Sequence, residues 1–441
     1  MTAPAVFFSQ RRGACPGLSA PMQTGDGLLV RLLPVDSLTL EALRGLCAAA
    51  RMHGNGVIEI TARGSLQVRG LSASSAPRFA DAIAALGIAA QDGVPVLCNA
   101  LAGLDSAEIV DSAALAADLR RALAKTSLHE RLAPKISVAV DGGGALGLDD
   151  VAADVRLCAV AASGEAIFEV SVGGNAARAT RLGAVTPSRG VAAVMRLLDI
   201  LARRGRMARA RDVIATDGAG AFHAAIADVV LTPARPRGGG DPDLDSRLRG
   251  NERSTAIGAH MLRDNSLAIG IGLPFGHTEA RRLERLADAA ADAGAGGVRT
   301  AAGRALMIVG LPPANAADLQ SAAGNLGFIV AANDPRRYVF ACAGAPACAS
   351  AYIAARSVAA EIADIAAPRL SDDLHIHISG CGKGCAHPTA AALTIAGGPD
   401  GCALVAGGTT RDAPFATVAT EQLPAAVRHH VRARDREVSH V

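Results

Sequence analysis

The sequence predicts a mixed fold, α+β with α/β segments, built by duplication into an A-B-A′-B′ order. Three observations carry this. Residue pairs recur at one constant offset of 240 positions, strand and helix patterns alternate inside each recurring unit, and a turn-rich stretch separates the halves.

The repeat comes first. Leu33-Pro34 returns as Leu273-Pro274, Leu43 and Leu46 as Leu283 and Leu286, and Ala49-Ala50 as Ala289-Ala290. Leu66 returns as Leu306, Gly70-Leu71 as Gly310-Leu311, and Leu86-Gly87 as Leu326-Gly327. Single matches between Ala- and Leu-rich segments mean little. One unchanged offset across a whole unit marks a duplication.

Within the first unit, Leu28 to Leu33 reads as a strand ending at Pro34. Leu40 to Met52 reads as a helix with Thr39 as its cap and Leu40, Leu43 and Cys47 on its apolar face. Gly56 to Gly70 holds two strand-like stretches, and Ala76 to Leu86 a helix stopped by Gly87. Such a half-domain leaves an open sheet edge, which pairing with its copy would close. A longer α/β segment follows each unit, with strands entering glycines at Pro134 to Gly143 and Leu374 to Gly380. The expected organisation is a first half-domain with its N-terminal segment over 1–90, an α/β domain over 91–231 and a linker over 232–262. A second half-domain over 263–330 and a final α/β domain over 331–441 complete it.

Composition narrows the function. Half of the residues are hydrophobic and 19% are charged, which excludes general disorder. Nine Cys in 441 residues are too sparse for a disulfide scaffold. No apolar run reaches the roughly 18 residues of a membrane span. Arg11-Arg12 leads into Gly13 to Gly17 rather than a long apolar segment, so no secretory signal is expected and a cytoplasmic location is the default. A net charge of +3 and 2% aromatic residues argue against a nucleic-acid partner.

The chemistry concentrates in cysteines. Cys342 and Cys348 are separated by five residues, Cys381 and Cys385 by three. Four thiolates can hold a zinc ion or a [4Fe-4S] cluster, and the alternative is four unrelated buried cysteines. The wide first loop and the Gly382 and Gly384 turn suit a bulky cluster. Cys348 leads into an Ala-rich helix expected from Ser350 to Ala366, whose N-terminus would face the anionic centre. Cys47, Cys158 and Cys402 read as small buried hydrophobes, while Cys15 and Cys98 stay open.

A second feature is present in one copy only. Read as a strand, Thr61 to Gly70 places Arg63, Ser65, Gln67 and Arg69 on one face. At the 240 offset these become Gly303, Ala305, Met307 and Val309, and Arg31 becomes Ile271. The fold can be built without the polar groups, so the first copy would use them on a ligand; a solvent-exposed edge is the alternative. Lys135, after Pro134, adds a cation at another strand start. Converging cations suit a polycarboxylate.

With these motifs the chain resembles the sulfite and nitrite reductase superfamily, over nearly its whole length. The resemblance rests on the two cysteine pairs, the Thr61, Arg63, Gln67 and Gly70 strand, Pro134-Lys135 and the duplication. It implies a nitrite/sulfite reductase-like fold with ferredoxin-like half-domains alternating with larger α/β domains. It implies that Cys342, Cys348, Cys381 and Cys385 bind a [4Fe-4S] cluster, with Cys385 at the place of a bridge to sirohaem iron. It puts Arg63 and Lys135 in catalytic positions. Arg31, Arg63, Gln67, Arg69, Asn99, Lys135 and Lys383 would contact a tetrapyrrole.

Within the superfamily, Arg11 to Gly17, Gly25 to Arg31, Gln67 to Gly70 and Gly380 to Pro388 are similar to the branch that modifies precorrins in aerobic cobalamin biosynthesis. That branch implies precorrin-3A and O2 as substrates, hydroxylation at C20 with closure of a ring A acetate lactone, and an external electron donor, NADH-linked or ferredoxin-like. It also implies a mononuclear non-haem iron, with sirohaem the less expected group. His375, His377 and His387 are the nearby histidines, with second-shell or core packing as the alternative role. The chain departs from the reductases at Ser137, Cys98 and Lys383, where they carry lysine, arginine and asparagine. Sulfite reduction needs several cations to bind a small dianion, so losing two of them argues against the alternative, a sirohaem-dependent sulfite or nitrite reductase.

Overall fold

The computed structural model describes residues 16–162, 164–231, 255–371, 374–387 and 389–438, with the backbone alone for 433–438. Arg11-Arg12, Cys15 and the Thr232 to Arg253 linker lie outside the described residues. No described helix is long and apolar enough to cross a membrane.

The duplication is visible in the strands. The first half-domain sets Met22–Thr24, Gly27–Leu32, Leu66–Leu71 and Val57–Ile60 side by side, all antiparallel. The second repeats the pattern with Gly258–Met261, Leu267–Gly272, Ala305–Leu311 and Gly297–Ala301. Its opening strand, Gly258–Met261, falls inside the stretch expected to be linker. A two-stranded hairpin needs only a tight turn, supplied by Asn265 at φ 64°.

Helix Leu40–His53 ends one residue beyond its expected end, and Thr39 Oγ1 accepts from Ala42 N at 3.0 Å. It packs against its counterpart Ala280–Asp292, so Leu43, Leu46, Leu283 and Leu286 share one core. The two copies also close each other's sheets. Strand His277–Glu279 pairs with Val57–Ile60, placing Thr278 opposite Ile58. The reciprocal bridge joins Leu38 to Val298, the same contact shifted by 240 in each partner. The open edge is thus covered by the other copy, as the sequence leads one to expect.

Each α/β domain is one five-stranded sheet. In the first the order is Val96–Cys98, Val138–Asp141, Ala153–Ala162, Glu165–Gly174 and Thr180–Val185. In the second it is Val339–Ala341, Ile376–Ser379, Ala391–Gly398, Gly401–Gly408 and Ala416–Val418. The first three strands of each run parallel and the remainder antiparallel. Ligands of parallel sheets gather beyond the carboxyl ends of the strands, which locates the functional groups.

Candidate active site

Both cysteine pairs sit at such ends. Cys342 follows Val339–Ala341 and Cys381 follows Ile376–Ser379, and these strands are parallel neighbours. The loops after them carry Cys348 and Cys385. Cys381 is buried, Cys342 and Cys348 are half-buried, and Cys385 is exposed. Burial raises the Cys385 thiol, and the neighbouring Cys342, Cys381 and Cys348 raise it further. Gly380 N donates to Cys342 Sγ at 3.1 Å. Gly344 holds φ 69°, and a Cβ there would lie 2.3 Å from Ala355 N, so only glycine fits that close approach. Lys383 Nζ donates to Ser350 Oγ at 2.7 Å and ties one cysteine loop to the other.

One expectation changes. The helix after Cys348 runs Ala355–Ala366, so its N-terminus does not follow the cysteine directly. The intervening chain is held by Tyr352 N donating to Gly380 O and Ala345 N donating to Ile353 O. Those bonds serve loop packing rather than a helix start.

Among the described residues, no three His, Cys, Asp or Glu stand close enough to share one ion.

Beside the cysteines stands a wall of imidazoles. His387 stacks on Phe340 at 4.6 Å between centroids and lies 5.1 Å from the His375 ring and 5.9 Å from His377. His377 is fully buried, and neither ring nitrogen has a partner. Burial, then His387 and Arg304, lower it to about 4, so it is neutral at pH 7. As they are turned, these three rings do not converge on a mononuclear ion. Arg304 completes the wall: its guanidinium lies 5.1 Å from the Phe340 centroid and donates to Ala386 O at 3.0 Å. The sequence reading missed Arg304. Its counterpart at the 240 offset is Gly64, and both hold positive φ, at 63° and 80°. An arginine where the other copy needs glycine was the available signal.

The polar face of the first half-domain proves shorter than expected. Thr61 to Ser65 form a turn, closed by Gly64 at positive φ and by Ser65 N donating to Thr61 Oγ1. Arg63 is therefore exposed on the turn and off the strand. Gln67 and Arg69 remain on the strand face, only 7% and 5% exposed, which excludes a solvated edge. Arg69 pairs with Asp26 at 3.0 Å and Glu59 at 3.5 Å and donates to Ala347 O. Gln67, with its amide oriented by its neighbours, donates to Glu59 and accepts from Arg31. Arg356 reaches Glu59 at 2.6 Å. The face is a joint in which three arginines meet two carboxylates, and Arg69 ties it to the Cys342 to Cys348 loop.

Arg63 and Asn99 do meet. Both line a cavity of about 330 Å³ between the half-domains and the first α/β sheet, with Cys98, Arg120, Arg121 and Arg299. Burial pushes the Cys98 thiol up to about 12 despite Arg120 and Arg299, so it offers no charge. Lys135 is not brought there. It is exposed in a turn three residues before its strand begins at Val138, at the opposite end of the sheet from Asn99. The bond from Ile136 N to Ala133 O makes that turn and delays the strand.

The nitrite/sulfite reductase ferredoxin-like half domain matches residues 20–86 and 260–326, the two copies seen in the fold. The solved structure of the Mycobacterium tuberculosis NirA protein superposes with a TM-score of 0.74 over 92% of this chain and 80% of that one, at 21% identity. The ferredoxin–nitrite reductase of Synechococcus elongatus is 25% identical over 402 residues, 86% of this chain and 77% of the relative. A precorrin-3B synthase of a Sinorhizobium species is 40% identical over 410 residues, 92% of this chain and 85% of the relative. On that identity and that span, the chain belongs to the precorrin-3B synthase family, carried on the nitrite/sulfite reductase fold.

Proposed function

We propose that this oxidoreductase is a precorrin-3B synthase, inserting one oxygen atom of O2 at C20 of precorrin-3A and closing the ring A acetate onto the macrocycle as a lactone. The second oxygen atom leaves as water, with two electrons and two protons drawn from an external donor. The observation that carries this reading is the 40% identity over 92% of the chain to a precorrin-3B synthase.

The site is consistent with it. Where the reductases carry cations, Cys98 is a neutral thiol and Ser137 a buried hydroxyl, 1% exposed. Neither can clamp a small dianion. Cys342, Cys348, Cys381 and Cys385 would hold a [4Fe-4S] cluster, which supplies one-electron transfer when bound. Around them this chain's residues do three things. Arg69 and Glu59 seat the first cysteine loop, Lys383 pins it to the second, and exposed Cys385 leaves the cluster approachable on one side. The stacked His387 lies two residues beyond Cys385, with the buried, neutral His377 packed behind it. The described residues do not assemble a mononuclear iron site.

Anaerobically purified protein tests the reading. About four irons and four sulfides per chain, no sirohaem, and O2-dependent gain of one oxygen atom by precorrin-3A are expected. Stoichiometric sirohaem with sulfite or nitrite turnover would overturn it.

A further inference from the structure

We infer that Arg304 is a positioning residue for the cluster: from the second half-domain it latches the segment after Cys385 and so holds the one exposed cysteine of the four in its ligand position. The inference rests on the functional reading above, which puts a cluster on the four cysteines, and goes beyond it by naming what holds the fourth ligand.

Two contacts carry it. The guanidinium donates from Nη2 to Ala386 O at 3.0 Å, one residue beyond Cys385. Its Cζ lies 5.1 Å from the Phe340 centroid, and Phe340 in turn stacks on His387 at 4.6 Å. Phe340 stands on the strand that leads into Cys342. One side chain thus touches the exit of the Cys385 loop and the entrance of the Cys342 loop. The near side of the Cys385 loop is held from within its own domain, by Lys383 on Ser350 and by Thr410 Oγ1 donating to Gly382 O at 3.0 Å. On the far side Arg304 reaches it from another domain.

The second half-domain is shaped to deliver this arginine. Arg304 holds φ 63°, a region that arginine rarely enters. Gly303 N donates to Ala62 O at 2.9 Å and Leu273 N to Arg304 O at 3.0 Å, which pins the turn on both sides. The side-chain stem crosses Gly276, where a Cβ would lie 2.7 Å from Arg304 Cδ and 3.2 Å from Nε. At the 240 offset Arg304 becomes Gly64, and Gly276 becomes Asp36. The copy with the arginine also carries the glycine that makes room for it, and the other copy carries neither. Among the described residues no carboxylate pairs with Arg304, so an ion pair does not account for its place. A strained residue persists only where its surroundings impose it, and such positions gather at functional sites. Contacts that orient a ligand from behind typically sustain metal retention by about 10–100-fold.

The test uses the full-length protein, purified anaerobically with its iron. Three quantities are read: iron release to a bathophenanthroline chelator, the electron paramagnetic resonance line shape after dithionite reduction, and the thermal melt by circular dichroism. Arg304→Gly installs the residue of the first copy and relaxes the φ 63° backbone, so it should melt at or above the parent's temperature. Iron release should nevertheless quicken about tenfold, with an altered line shape. Arg304→Asn tolerates the same backbone but stops short of Ala386, and should behave alike. Arg304→Lys keeps one donor for Ala386 O and should lose less. Arg281→Gln, an exposed arginine of the same half-domain, should match the parent.

Parent-like iron release and line shape in both Arg304→Gly and Arg304→Asn would overturn the inference and leave the functional reading standing. A lowered melt in both, with iron lost only as the chain unfolds, would assign Arg304 to the fold and overturn it too. A parent without cluster iron would sink the reading and the inference together.

Discussion

The two five-stranded sheets share strand order and register, yet their ligand ends are finished differently. In the first, carboxylates seal the loops. Asp141 accepts from Gly143 N and Leu148 N, both at 2.9 Å. Glu108 accepts from Gly103 N at 2.8 Å, from Ser112 N at 3.0 Å and from the Ser112 hydroxyl, and Asp105 accepts from Ala145 N. In the second, Ser379 stands at the position of Asp141 and Cys342 at that of Asn99. The ladder position of Ala139, facing Leu97 and Arg156, is taken by His377, facing Phe340 and Thr394. The sheet can be built with either set. One end spends its polar groups on its own backbone, and the other keeps thiols and imidazoles for something else.

The comparison can be broken by substitution, and the largest effect is expected at the cysteines. Cys348→Ser should remove the iron chromophore and abolish turnover, while Cys98→Ser, at the carboxylate-sealed end, should leave iron content unchanged. Metal and sulfide analysis of the two variants decides it. Loss of iron in Cys98→Ser would erase the distinction between the ends.

Next comes Glu108→Ala. Its side chain is fully buried and serves three donors, with Arg263 at 3.6 Å. Removing it strands those donors and should cost about 3–5 kcal/mol in urea unfolding. Cluster iron should survive in the folded fraction.

A third prediction concerns the exchanged strands. His277, on the strand that crosses to the first half-domain, is lowered to about 4 by burial and then by Arg356 and Arg282. Its counterpart Ser37 accepts from Arg299 Nε at 2.6 Å and does not titrate. A lowered imidazole leaves full stability above the unfolded value near 6.5, and stability falls as pH drops from there toward 4. The expected slope is at most about 1.4 kcal/mol per pH unit, and His277→Gln should remove it. Thermal melts between pH 4 and 7 measure it.

The smallest stability effect is expected at His377. His377→Ala installs the residue that the other sheet carries at Ala139. Losing a buried imidazole with two unpaired nitrogens offsets the cavity left behind, so stability should change by no more than about 1 kcal/mol. Turnover should fall nevertheless. A large destabilisation would assign His377 to the fold alone.

Much of this was legible in the chain. Helix Leu40–His53 with its Thr39 cap and the closure of each half-domain by its copy follow from local periodicity and the 240 offset, whereas the strand Gly258–Met261 fell in the expected linker. Local reading failed at turns. Strand parity ran Arg63 and Ser65 into line with Gln67 and Arg69, but Gly64 at positive φ breaks the alternation two residues before the strand. The strand start expected at Lys135 and the helix start expected after Cys348 both moved downstream, because loop hydrogen bonds postponed the regular element.

The amino-acid sequence by itself determined the duplication, the alternation of half-domains with α/β domains, and the four cysteines, because periodicity and spacing are properties of neighbours along the chain. Tertiary structure alone decided what the polar groups face. Arg69 is neutralised by Asp26 and Glu59 and holds a loop 278 residues away, whereas Asn99 Nδ2 and Arg120 Nε are buried without a partner. A charge becomes structural or functional according to whether packing brings it a partner, and those partners are set by the fold rather than by adjacency.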